Sequence, residues 1–118
     1  MSKPALLVAS LAVILVSSYL VYTNRTREHF YKPGVWPEAD KAIDQAKRLF
    51  QIRKNLSEDL SGGPCLSNDL IPGWVADVAH RPRQAMDDLA QNQCSAYLEG
   101  RAKHFVELDI QGNLIRVK

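Results

Sequence analysis

The chain has 118 residues, 46% of them hydrophobic, and sets 15 Lys and Arg against 13 Asp and Glu for a net charge of +2. That length allows one compact domain at most, and a charge so nearly balanced argues against a nucleic-acid-binding surface, which needs a concentrated basic patch. There is no internal repeat and no low-complexity tract.

The first element is apolar. Residues 4–22 read PALLVASLAVILVSSYLVY, uncharged and interrupted only by Ser10, Ser17 and Ser18. About 19 residues at 1.5 Å each match the roughly 30 Å hydrocarbon core of a bilayer. Tyr19 and Tyr22 fall at the downstream end, where amphipathic rings favour the membrane interface. A cleaved signal peptide is the rival reading, with Lys3 as its basic region, Ala5 to Val16 as its apolar region and Val16-Ser17-Ser18 as its processing site. No Ala-x-Ala follows the apolar run, which continues through Val21. The expectation is therefore an uncleaved signal-anchor over residues 1–23 that crosses the lipid bilayer once. Arg25, Arg27 and Lys32 lie just downstream, and by the positive-inside rule favour a cytoplasmic carboxyl-terminal domain. The two cysteines favour an oxidising compartment. On the cysteines, the soluble part is expected to be extracytoplasmic.

A juxtamembrane linker, residues 24–36, precedes a small α+β domain expected over residues 37–118. Pro37 suits a first helical turn, and Glu38 and Asp40 complement the positive end of the helix dipole. Ala39, Ala42, Ile43, Ala46, Leu49, Phe50, Leu56 and Leu60 recur at spacings of three and four, with Arg53 the one break. This predicts an amphipathic helix from Pro37 to Leu60, with Asp44–Arg48 and Lys54–Glu58 as i,i+4 pairs on the solvent face. Ser61-Gly62-Gly63-Pro64 stops it.

Leu70-Ile71-Pro72-Gly73 reads as a turn and Trp74 to Ala79 as a short strand. His80-Arg81-Pro82-Arg83-Gln84 is a basic, proline-interrupted loop. Asp87 or Asp88 then caps a short second helix carrying Leu89, Cys94, Ala96, Tyr97 and Leu98 and ending at Gly100. Residues 103–108 and 114–117 flank Asp109-Ile110-Gln111-Gly112-Asn113, a β-hairpin signal with Gly112 supplying positive φ. The hairpin and the strand at 74–79 are expected to form a small antiparallel sheet covered by a helix.

Cys65 and Cys94 admit three readings: metal ligand, catalytic thiol or disulfide. With His80 and His104 they number four zinc-type ligands, yet all four are widely separated and unpaired, so no metal or other cofactor is expected. A thiol–imidazole pair needs only spatial adjacency, but no local signature accompanies one. A Cys65–Cys94 disulfide would close a loop of about 30 residues, worth roughly 3–4 kcal/mol of chain entropy. That is the expected state. Trp74, Asp77, His80, Arg81 and Arg83 form the candidate binding surface. Asp77 and His80 are three apart and suit proton transfer. Arg81 and Arg83 offer planar donor forks to an anion, or to Asp87 and Asp88 nearby.

The plan of an apolar amino-terminal helix followed by a disulfide-closed domain resembles that of pilins and pseudopilins. Their processing-site Gly followed by an aromatic, and their Glu at the start of the apolar helix, are absent here, so no family is assigned. The function expected from these features is a membrane-anchored interaction or assembly module with a protein partner, such as an accessory subunit of a larger complex. The alternative is a small enzyme or thiol protein using Cys65 or the Asp77/His80 region. No nucleotide loop, CxxC or hydrolase elbow supports the alternative.

Overall fold

The computed structural model describes residues 2–26 and 31–118, residues 23–26 by their backbone. Arg27 therefore lies outside the described residues, as do the side chains of Asn24, Arg25 and Thr26. The chain divides after residue 30 into two units.

The first unit is one helix, α1, Lys3–Thr26. Its segment Lys3–Tyr22 is long and apolar enough to cross a membrane. A signal sequence would have the same length and composition. Ser10 donates its hydroxyl to the carbonyl oxygen of Leu6 at 2.9 Å, so this polar side chain is satisfied within the helix.

The second unit is an α+β domain. Helix α2, Pro37–Asn55, buries Ala39, Ala42, Ile43, Ala46 and Phe50, the stripe expected from the apolar spacing. It is five residues shorter at its end than expected. Ser57 adopts φ 61, and the Arg53 side chain turns back to bond Glu58 and the carbonyl oxygen of Leu66. Glu58 thus pairs with Arg53 rather than Lys54, and Leu56 is exposed. Asp44 and Arg48 pair as expected, at 3.0 Å. Leu60 still reaches the core, but from a loop.

Four strands form one sheet in the order β1-β2-β3-β4: Cys65–Ile71, Trp74–Val78, His104–Leu108 and Leu114–Val117. Strand β1 was not anticipated. Leu70 and Ile71 belong to it, and only Pro72-Gly73 make the turn, with Gly73 at φ +81 as a turn of this kind requires. The expected antiparallel sheet is also corrected. Strands β1 and β2 are antiparallel, as are β3 and β4, but β2 and β3 run parallel, from Trp74 beside His104 to Val78 beside Leu108. The crossover of residues 79–103 is long enough to return the chain to the same end of the sheet, as a parallel pair requires.

That crossover was expected to contain a longer helix. It holds two 3-10 turns, Ala85–Asp88 and Ala90–Asn92, and a four-residue helix α3, Ser95–Leu98. Leu89 and Gln93 are extended and break the helical path twice. Gln84, not Asp87 or Asp88, is the cap, in a reciprocal arrangement with Asp87.

Alternation along β2 and β3 sends residues to two covered faces. Trp74, Ala76, Val78, Val106 and Leu108 pack under α2. Val75 and Phe105 face the crossover, with Cys94, Ala96, Ala102 and Tyr97. Burial on both faces suits a central parallel pair. The predicted hairpin is present: Gly112, at φ +90, donates its N–H to Asp109 O at 2.9 Å.

Candidate functional site

On the crossover face, two acids interrupt otherwise apolar strands. Asp77 in β2 and Glu107 in β3 are in-register neighbours across the parallel ladder, and both line a cleft of about 100 Å³. Neighbouring strands lie about 4.8 Å apart, so the two carboxyls share one small region. Val75 and Phe105 continue the floor from the same strands. Tyr97 and Leu98 of α3, with Gln93, form one side. Tyr97 meets Phe105 edge-on, with ring centroids 5.0 Å apart.

Two guanidiniums close on Glu107. Arg83 donates from Nη1 to Glu107 Oε2 at 3.3 Å and from Nε to Asp88 Oδ1 at 3.0 Å. Arg116 of β4 lies 3.4 Å from Glu107 Oε1 through Nε, with its guanidinium 5.0 Å from the Phe105 ring centre. The Glu107 side chain is only 6% exposed, whereas those of Arg83 and Arg116 are 40% and 55% exposed. The guanidiniums therefore stand at the mouth and the carboxylate below them.

Asp77 is treated differently. Its Oδ1 is closed off from solvent and has no hydrogen-bond partner. Burial first, and the neighbouring charge of Glu107 second, push its carboxyl from the ordinary 3.8 up to about 7. A hydrogen bond from the Val78 backbone, and then Arg83, pull the other way, more weakly.

His80 does not join Asp77. Its Nδ1 lies 2.8 Å from Asp87 Oδ1, and its backbone N–H donates to Asp87 Oδ2 at 3.0 Å. Gln84 N–H also donates to Asp87 Oδ2, at 2.8 Å. Burial opposes the charge on Asp87, but these backbone and imidazole donors together leave its carboxyl below the ordinary range. Gly63 makes this arrangement possible. A Cβ there would lie 2.7 Å from Asp87 Oδ1, and its φ of +72 also requires glycine. The breaker after α2 thus lets the chain pass directly against the Asp87 carboxylate.

Cys65 and Cys94 are joined in a disulfide, with sulfurs 2.04 Å apart. The bond ties the start of β1 to the crossover, and Cys94 lines the cleft. Asn68 adds a second tie, accepting the N–H of Ala96 at 2.8 Å. Neither cysteine is free. Among the described residues, no three His, Cys, Asp or Glu side chains gather as a metal site would require.

Of the surface expected from sequence, Asp77 and Arg83 are brought together. Trp74 lies on the opposite face, fully buried, with Nε1 donating to Glu38 at 3.1 Å and its ring stacked on His104 at 4.7 Å. Arg81 is exposed on the loop beyond. Glu107 and Arg116 were not anticipated as part of the site. The available signal was a lone acid at the same place in each of two buried strands, WVADV and HFVEL.

No protein family, curated protein or solved structure matches this chain.

Proposed function

We propose that this chain is a membrane-anchored interaction module. Residues 4–22 hold it in the lipid bilayer, and the disulfide-closed domain engages a protein partner on the extracytoplasmic side through the cleft of Asp77, Arg83, Glu107 and Arg116. The observation that carries the reading is the arrangement of the cleft, with two half-exposed guanidiniums above an apolar and aromatic floor. Such a mixture of a planar cation fork and aromatic surface is typical of the centres of protein interfaces. The extracytoplasmic assignment draws on the disulfide, which persists in oxidising compartments. An accessory subunit of a larger complex fits these features.

The alternative, a small enzyme or thiol protein, would use Cys65 or the Asp77/His80 region. The interaction reading is preferred because Cys65 is held in the disulfide and the His80 ring is engaged by Asp87. Nucleophilic chemistry needs a free thiolate or a base aimed at a nucleophile.

Photo-crosslinking in the native membrane tests the proposal. A photoreactive amino acid at Leu98, on the cleft, should give a discrete adduct that an Arg116→Gln substitution removes. The same group at Lys47, on the solvent face of α2, should not. Equal adducts from both positions, or none from Leu98, would contradict the reading.

A further inference from the structure

The cleft combines three features that together select a ligand. Arg83 and Arg116 approach Glu107 at 3.3 and 3.4 Å and remain 40% and 55% exposed. Arg83 also holds Asp88 through Nε and Nη2, and Arg116 meets Glu107 through Nε and Nη2, which leaves each five-donor guanidinium with N–H groups to spare. Asp77, beside Glu107 in register, has a buried oxygen with no donor. A carboxylate in that position is largely desolvated, and the Val78 hydrogen bond and the Arg83 charge offset this only in part, whereas a carboxylic acid carries no charge to desolvate.

The groups around Asp77 are Glu107 from β3, Arg116 from β4, Arg83 and Asp87 from the crossover, and Tyr97 from α3, with Asp88 joined to them through Arg83. The remaining neighbour, Cys94, is disulfide-bonded and does not titrate. With the proton on Asp77, two guanidiniums in the lining face a single carboxylate, and Asp88 holds only the outer side of Arg83. The two guanidiniums then balance Glu107 and Asp88, and Arg116, the more exposed of them, has Glu107 as its one acid partner shown here. Without the proton, a second negative charge stands beside Glu107 and the cluster becomes net negative.

We infer that the cleft binds a carboxylate of its partner, an Asp or Glu side chain or a chain terminus, between Arg83 and Arg116 while Asp77 is protonated, and releases it when Asp77 ionises. The inference rests on the reading of the cleft as a binding surface. Guanidinium N–H groups form strong charge-assisted bonds to carboxylates, and the space of about 100 Å³ suits a head group of that size. A cationic ligand would meet the two guanidiniums first. The midpoint of the change falls near neutrality, since Asp77 titrates at about 7.

The experiment uses the full chain in detergent micelles, with propionate as the probe and propylamine as its cationic counterpart. Binding is followed by amide chemical-shift changes on β2, β3 and β4, at about pH 6 and about pH 8.5, on either side of the Asp77 midpoint. Propionate should bind at the lower pH and weaken roughly tenfold at the higher, the effect of one adjacent charge at a partly buried site. Asp77→Asn, which keeps position 77 uncharged at every pH, should bind propionate equally at both. Arg116→Gln should abolish binding while tryptophan fluorescence shows the domain folded. The inference is overturned if propionate fails to bind at the lower pH, if its affinity does not change with pH, if Asp77→Asn keeps the pH dependence, or if propylamine binds in its place. Should propionate fail while the Leu98 adduct persists, the carboxylate assignment falls and the interaction module stands. Loss of the adduct would remove both.

Discussion

Replacing Asp77 by Asn should stabilise the domain at high pH and do little at low pH. In the folded chain the Asp77 carboxyl titrates at about 7, against an ordinary value of 3.8, because of burial and then the charge of Glu107. Between those two values the folded state holds a proton that the unfolded state has released. Stability therefore falls as pH rises through that window and levels off above about 7. A difference of roughly three units at 1.36 kcal/mol each gives about 4 kcal/mol. The open mouth of the cleft admits some screening, so about 2–4 kcal/mol is the expected gain for Asp77→Asn at about pH 8.5. Near pH 4 the two proteins should be alike to within about 1 kcal/mol, since Asp77 is then neutral in the folded state. The chain has only two tryptophans, Trp74 in the domain core and Trp36 half-buried against it. Their fluorescence during guanidinium unfolding of the full chain in micelles reports the domain without interference from α1. A gain independent of pH, or a loss at high pH, would refute the reasoning: the first would mean Asp77 does not titrate in this window, the second that it is a stabilising carboxylate.

Changing Cys65 and Cys94 together to Ser should cost about 3–4 kcal/mol by loop entropy and lower the thermal midpoint, while the Leu98 adduct survives at permissive temperature. Phe50→Ala removes a ring that is 1% exposed, and should cost about 3–5 kcal/mol in guanidinium unfolding. A loss under about 1 kcal/mol would place Phe50 outside the core. Gly112→Ala meets the same ring, since its Cβ would lie 2.8 Å from two Phe50 carbons at a φ of +90. It should cost about 1–3 kcal/mol, and less in the Phe50→Ala background, where the obstruction is gone.

The elements legible in the sequence are those carried by local signals. The uncharged run to Tyr22, Pro37 with Glu38 and Asp40 at the start of α2, and Gly112 in the final hairpin each specify their structure within a few residues. Strand β1 carries no such signal. Its CLSNDLI includes Asn68 and Asp69, which disfavour strands, and it is held by pairing with β2, by the disulfide and by the Asn68 bond to Ala96. The parallel pairing of β2 and β3 is likewise set by how a crossover of residues 79–103 packs. A helical reading of that crossover fails because Leu89 and Gln93 turn extended while the Asp87 carboxylate is drawn to His80. The site follows the same division. Asp77 and Arg83 were nameable from the sequence, but their meeting with Glu107 and Arg116 depends on strand register, which no local pattern encodes.

The most direct test of the account is labelling of intact cells with a membrane-impermeant maleimide polymer, with and without reductant, read as a mobility shift of the full chain. An anchored, disulfide-closed domain outside the cytoplasm predicts no shift before reductant and a shift from two labelled cysteines after it, without breaking the cells. Labelling without reductant, or labelling only after lysis, would contradict it.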